Sequence, residues 1–191
     1  PGVGKTTLLN SILVVLSSLN VQILLAAPTG RAAKKMSEST AREASTIHRL
    51  LGFQGFQGGR FTKNEADPLE CDLLVIDECS MLDVRLMCAV MSALKPSAAL
   101  LLVGDVDQLP SVGPGQVLGD IIDSSMVNVV RLTEIYRQAL GSLIVTNAHR
   151  VNTGQMPLPP AHKGPGSDFY IWDMTDSALA PESVVAMVCE R

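Results

Sequence analysis

Eight residues at the start of the chain, Pro1-Gly2-Val3-Gly4-Lys5-Thr6-Thr7-Leu8, constrain its fold more than any other stretch. They match the end of the pattern G-x-x-x-x-G-K-[ST], in which a glycine-containing loop runs straight into a helix. The first glycine of that pattern falls five positions before Gly4, so this reading expects further chain ahead of Pro1. Small residues let successive backbone N–H groups turn inward around phosphate oxygens, and Gly2, Val3, Gly4, Lys5, Thr6 and Thr7 would form that cradle. Lys5 adds a point charge, and Thr6 supplies a hydroxyl for Mg²⁺. Leu8, Leu9, Ile12, Leu13 and Leu16 fit a helix whose positive end faces the phosphates. The alternative is a glycine-rich turn ahead of an ordinary helix, and it loses ground once Asp77-Glu78 is considered.

A chain of 191 residues suits one α/β domain, or one domain and part of another. Hydrophobic residues make up 47% but aromatics only 4%, so the core must be aliphatic, as in a parallel sheet covered by helices. Cys71, Cys79, Cys88 and Cys189 show no C-x-x-C or His-paired spacing. They read as buried thiols in a reducing compartment, the cytoplasm, rather than as a zinc site. No 18-residue apolar run is present, and no membrane partner is expected. The net charge of −4 does not suit a polycationic binder, yet Arg31, Lys34, Lys35, Arg42 and Arg49 form a basic island between positions 28 and 50. Such an island suits a focused anionic partner; the plainer reading is a solvated helix face.

Apolar strands alternate with helical stretches. Val21–Ala27 ends in Pro28-Thr29-Gly30, Leu73–Ile76 in Asp77-Glu78, and Leu100–Val103 in Gly104-Asp105; Val127–Leu132 is a fourth candidate. Helices are predicted at about 8–19, 31–38, 46–51, 82–94 and 115–123. This alternation argues for a doubly wound α/β fold with ligands at the strand C-terminal ends, where the polar clusters fall. Residues 52–70 break the rhythm. Glycines alternate there with Phe53, Phe56 and Phe61 before Pro68, which predicts a hairpin or irregular insertion. The three Phe would either pack that hairpin on the domain or offer a stacking surface. A second loop-rich stretch, Gly154–Gly166, reads as a connection between domains.

Asp77-Glu78 after an apolar strand is the arrangement in which an Asp holds Mg²⁺ and a neighbouring Glu polarises the water attacking a γ-phosphate. Gly104-Asp105-Val106-Asp107-Gln108-Leu109-Pro110-Ser111-Val112-Gly113-Pro114-Gly115 resembles motif III of superfamily 1 helicases. Pro28-Thr29-Gly30-Arg31-Ala32-Ala33-Lys34 resembles their motif Ia, Asp77-Glu78-Cys79-Ser80-Met81 motif II, and Leu132-Thr133-Glu134-Ile135-Tyr136-Arg137-Gln138 motif IV. Thr46-Ile47-His48-Arg49-Leu50-Leu51 points to the RecD-like branch of superfamily 1B. The resemblance covers essentially the whole chain.

It implies an α/β, RecA-like P-loop NTPase with a mostly parallel sheet flanked by helices. Residues 1–130 would be the first motor lobe, with the insertion at about 52–70. Residues 131–191 would be the motif IV region and the start of a second lobe. The chain would lack the strand before the P-loop and most of that second lobe, so alone it would be inactive as a helicase and poorly folded. The implied activity is ATP-dependent, 5′–3′ translocation on single-stranded DNA and at duplex junctions, with nuclease or recombination subunits as partners. Lys5 and Thr6 would bind phosphates and Mg²⁺, Asp77 the metal, and Glu78 the attacking water. Gln108 would sense the γ-phosphate and couple it to DNA, and Arg137 would reach it from the second lobe. Thr29, Arg31, Thr46 and His48 would touch the strand.

For several of these a plainer role competes. Gln108 is suited to a phosphate oxygen or to capping its own loop. Arg137 has a planar fork matched to phosphate, or it pairs with Glu134. His48 meets DNA or packs its helix. Two other function classes compete as well: a P-loop kinase or small-molecule NTPase, and a regulatory ATP-binding subunit of a nuclease complex. Motif III and the basic island argue against the first, and the intact Glu78 and Gln108 against the second.

Overall fold

The computed structural model describes residues 3–55, 59–133, 142–159, 168, 169 and 171. The chain divides into two compact units, one of Gly4–Thr133 and one of Glu134–Arg191 with Pro1–Val3.

In the larger unit, α1 (Lys5–Ser17) is followed by β1 (Ile23–Ala27) and α2 (Gly30–Thr40). Next come β2 (Ala44–Thr46), the short α3 (Ile47–Leu50), and β3 (Phe53–Gln54) with β4 (Arg60–Phe61). Then β5 (Leu73–Ile76), α4 (Val84–Ala93), β6 (Ala99–Leu102) and α5 (Val117–Ser124) complete it. Four strands form a parallel sheet in the order β2-β1-β5-β6, with Leu25 opposite both Ala44 and Val75, and Val75 opposite Leu101. Parallel pairing brings every strand's C-terminal end to one edge, the placement expected for ligand-binding loops in such folds.

The sheet buries both faces, and the period-2 alternation of a strand sorts the side chains between them. Leu25, Leu73 and Val75 pack with Leu9 and Leu13 of α1 and Met36 of α2. Ala26, Leu74 and Ile76 pack with Ile47, Leu51, Leu86, Val90 and Val117 on the opposite face. Each such aliphatic side chain contributes about 1.5–3 kcal/mol on burial. Local signals set the helix starts. Thr29 Oγ1 accepts from Ala32 N, Thr46 Oγ1 from Arg49 N, and Asp83 Oδ1 from Leu86 N. Each satisfies a backbone donor that the first helical turn leaves open.

Two expectations need correction, and one strand was not foreseen. Val127–Leu132 forms no strand: no described strand lies beside it to complete a ladder, and its side chains are exposed, Val130 at 82%. The predicted helix at 46–51 shrinks to Ile47–Leu50 because Thr46 ends a strand and caps the helix. That strand, β2, escaped the sequence reading. It is held by β1 and by Ser37, whose Oγ accepts from Ala44 N (2.9 Å) and donates to Ala33 O (3.1 Å). The 52–70 insertion does contain a hairpin, with Phe53 opposite Phe61.

In the smaller unit, α6 (Leu143–Asn152) begins at a Ser142 cap. Asn147, almost fully buried, fixes the following loop by donating to Leu158 O (2.9 Å) and accepting from Leu158 N (2.7 Å). Of the loop-rich stretch 154–166 singled out in the sequence, residues 160–166 lie outside the described residues. Among the described residues no helix is long and apolar enough to cross a membrane.

Candidate nucleotide site and nucleic-acid surface

The larger unit begins with Gly4 in the left-handed conformation (φ 82°), and α1 starts at the next residue. Glycine adopts that conformation without the Cβ clash that other residues meet. The turn places Lys5 in the first turn of α1, with Thr6 and Thr7 exposed behind it. Val3 is half-buried, and Gly2 lies outside the described residues.

Lys5 reaches across the sheet edge. Its Nζ lies 3.1 Å from Asp105 Oδ2, in the loop after β6, with the two side chains only 24% and 16% exposed. Gln108 Nε2 donates to the same oxygen at 3.2 Å, and Asp107 N donates to Asp105 Oδ1 at 3.2 Å. Burial alone would raise the Asp105 pKa. The hydrogen bonds from Lys5 and Gln108, with the Lys5 charge, outweigh it and hold the carboxyl below the usual range. The sequence reading quoted Asp105 but gave it no part. Its local signal is weaker than that of Asp77, which directly follows β5, because Val103 and Gly104 separate Asp105 from the end of β6.

Asp77 is half-buried at the end of β5, and its Oδ1 accepts from Glu78 N at 2.8 Å. Glu78 is left-handed (φ 56°, ψ 42°), which costs a non-glycine residue roughly 1–2 kcal/mol. The neighbouring turn, Cys79–Met81, is tied down on both sides. Cys79 N donates to Val103 O at 3.0 Å and its Sγ donates to Ile76 O at 3.0 Å. Burial pushes the Cys79 thiol up to about 12.

The 104–115 loop is fitted to its surroundings by glycines. A Cβ on Gly104 would stand 2.6 Å from Leu118 Cδ2 and 3.2 Å from Cys79 N; one on Gly113 would stand 2.0 Å from Asp83 Oδ2. Val84 N donates to Pro114 O at 3.0 Å, so the loop is seated on the first turn of α4. The structure thus brings together Lys5 and Gln108 at one carboxylate, and places Asp77 and Glu78 at the end of the strand next to β6. Arg137 lies outside the described residues, and so does Glu134, its suggested partner.

The residues expected to meet DNA sit at the ends of β1 and β2. Arg31 is exposed in the first turn of α2, with Lys34 and Lys35 exposed beyond it. The Thr29 and Thr46 hydroxyls accept from their helices' N–H groups, which leaves each hydroxyl proton able to donate. His48 is exposed, and its ring meets Phe53 edge-on at 5.3 Å and Phe61 at 5.9 Å. Phe53 and Phe61 are 5.2 Å apart, and Phe53 stays 45% exposed. His48 therefore packs the hairpin while remaining on the surface. Phe56 lies outside the described residues.

Comparison with known proteins accounts for this arrangement. The ATP-dependent RecD2 DNA helicase of Deinococcus radiodurans is 42% identical over 157 residues, covering 82% of this chain and 21% of that protein. The RecBCD enzyme subunit RecD of Mycolicibacterium smegmatis is 32% identical over 97% of this chain and 37% of its own length. The chain therefore spans about a fifth to just over a third of these relatives. Among solved structures, Bacteroides Pif1 bound to single-stranded DNA superposes with a TM-score of 0.51 at 22% identity, over 82% of this chain and 42% of that one. The fold is thus the α/β, RecA-like one expected, a parallel sheet flanked by helices. Residues 1–114, which carry the Lys5 turn, the Asp77-Glu78 strand end and the loop that holds Asp105, match the AAA domain family, and the chain belongs to that family.

Proposed function

We propose that this chain forms the nucleotide-hydrolysing part of a RecD-type, ATP-dependent DNA helicase, with residues 1–130 as its first motor lobe. The observation that carries the proposal is the convergence on Asp105 of Lys5, 100 positions away in sequence, and of its neighbour Gln108, beside Asp77-Glu78 at one sheet edge. The printed descriptions of the RecD2 and RecD relatives support the same reading.

The residues fit the groups that such a site requires. Gly4 in the left-handed conformation, the first turn of α1 and the Lys5 ammonium are suited to phosphate oxygens. The Thr6 hydroxyl and the Asp77 carboxylate are hard oxygen donors of the kind Mg²⁺ takes. Mg²⁺ bound there would neutralise phosphate charge as the terminal bond breaks. Lys5 binds and orients the β- and γ-phosphates of ATP. Glu78, directly after Asp77 at the strand end, holds the attacking water and accepts its proton. Gln108, a neutral donor, senses the γ-phosphate, and Arg137 supplies positive charge from the second lobe.

Thr29, Arg31, Thr46 and His48 hold a single strand across the ends of β1 and β2, with the exposed basic side chains of α2 on its phosphates. The strand is drawn through in the 5′–3′ direction, from duplex junctions, and nuclease or recombination subunits are the partners. The test uses the full-length protein. Lys5→Ala abolishes ATP binding and hydrolysis, whereas Glu78→Gln binds ATP normally and loses on the order of 10²–10⁴ in turnover, as expected for loss of a general base. A Glu78→Gln protein that hydrolyses ATP at the normal rate refutes the assignment.

A further inference from the structure

We infer that Asp105 is an internal competitor for the phosphate site: its carboxylate holds the two side chains that ATP needs, and nucleotide engages by taking them from it. The inference rests on the reading of residues 1–114 as an ATP site and adds how that site is regulated.

The argument starts from one oxygen. Asp105 Oδ2 receives both the Lys5 ammonium (3.1 Å) and the Gln108 amide (3.2 Å). One of these donors is charged and the other neutral. They are the pair assigned to the β- and γ-phosphates, and a carboxylate oxygen resembles a phosphate oxygen in charge and hydrogen-bonding capacity. The contact is sheltered on both sides, so it is not a solvent-screened surface pair of the kind that contributes little.

Asp105 is also held from behind. Asp107 N donates to Oδ1 (3.2 Å) and Gln108 N donates to the Asp105 carbonyl (3.2 Å), which curls the loop around the carboxylate. Lys5 has three N–H groups and Gln108 two, but a phosphate sharing both donors would stand against the Asp105 carboxylate, and that like-charge repulsion favours a single anion at the pair. Phosphate binding therefore draws Lys5 and Gln108 off Asp105, and Gln108 carries the 104–115 loop with it. That loop is seated on α4 through Pro114 O and packed on the Cys79 turn at Gly104. Nucleotide arrival is thereby read as a change in the loop next to the residue proposed to activate water. Asp105 is a positioning residue in this scheme and touches no reacting atom.

The test has two arms in the full-length protein. A zero-length carbodiimide converts an adjacent carboxylate and amine into an amide, and the Lys5–Asp105 cross-link is mapped by mass spectrometry. The link should form in buffer and be suppressed by saturating ATP and Mg²⁺. A link that fails to form, or that ATP leaves unchanged, overturns the inference. In the second arm, Asp105→Asn, a neutral isostere, should bind a fluorescent ATP analogue about five- to tenfold more tightly, a gain that damage to the fold would not produce. Unchanged or weaker binding overturns it. Lys5→Ala in the same assay separates the two claims. If Lys5→Ala binds normally the ATP site itself is wrong; if it loses binding while Asp105→Asn gains none, the ATP site stands and the competitor falls.

Discussion

Gly113→Ala should loosen α4, and removing the Asp83 side chain should rescue it. A Cβ at position 113 would lie 2.0, 2.7 and 2.8 Å from Oδ2, Cγ and Cβ of Asp83. With even the Asp83 Cβ inside contact distance, a rotation of the carboxylate cannot relieve the overlap, and the residue must move as a whole. Asp83 is also the α4 cap, its Oδ1 accepting from Leu86 N at 2.7 Å. Displacing it forfeits about 1 kcal/mol of capping and adds overpacking strain of about 1–3 kcal/mol, for a total of about 2–4 kcal/mol. Asp83→Gly alone should cost only a few tenths of a kcal/mol, because glycine is a tolerable cap.

The double variant removes the three atoms nearest the new methyl, so it should be more stable than Gly113→Ala alone. Hydrogen exchange at residues 84–93, followed by mass spectrometry in the full-length protein, reports the opening of this helix. At about 1.4 kcal/mol per tenfold, Gly113→Ala should speed exchange roughly 25- to 700-fold, and the double variant should return to within a few-fold of the parent. Strictly additive costs would refute the argument, because they would mean that positions 113 and 83 do not share the space.

Two further expectations are simpler. Arg31→Ala should weaken single-strand binding and lower the magnitude of the salt slope by roughly 0.7, the value for one lost phosphate contact; titrations at several salt concentrations check it, and an unchanged slope would leave Arg31 as an ordinary surface residue. Iodoacetamide near pH 8 should label Cys88, which is exposed, well before Cys71 or Cys79, whose thiols burial holds protonated, the latter to a pKa of about 12; early labelling of Cys79 in peptide maps would show that the turn after Glu78 opens.

The parts of this architecture that were legible in the sequence are those written locally. Leu73–Ile76 is a short apolar run closed by two acids, and the structure buries all four residues as the middle of the sheet. Thr29 and Asp83 precede helices and cap them. What escaped was written between distant segments. Ala44-Ser45-Thr46 is too short and too polar to announce a strand, and becomes one because β1 offers it an open edge. Val127–Leu132 has strand composition but no neighbour among the described residues, and composition cannot supply one. Asp105 received no role because its partner stands 100 positions earlier. Nothing local distinguishes it from Asp107, two residues away and exposed.

The left-handed backbone of Glu78 sets stability and activity against each other. That conformation costs a side-chain-bearing residue roughly 1–2 kcal/mol, and glycine's larger unfolded-state entropy takes back only about 0.5–1. A mutation to glycine would therefore leave the domain as stable or slightly more so, while removing the carboxylate proposed to activate water. Directed evolution screened only for heat resistance would tend to discard Glu78, and lines selected for turnover would keep it along with its strain.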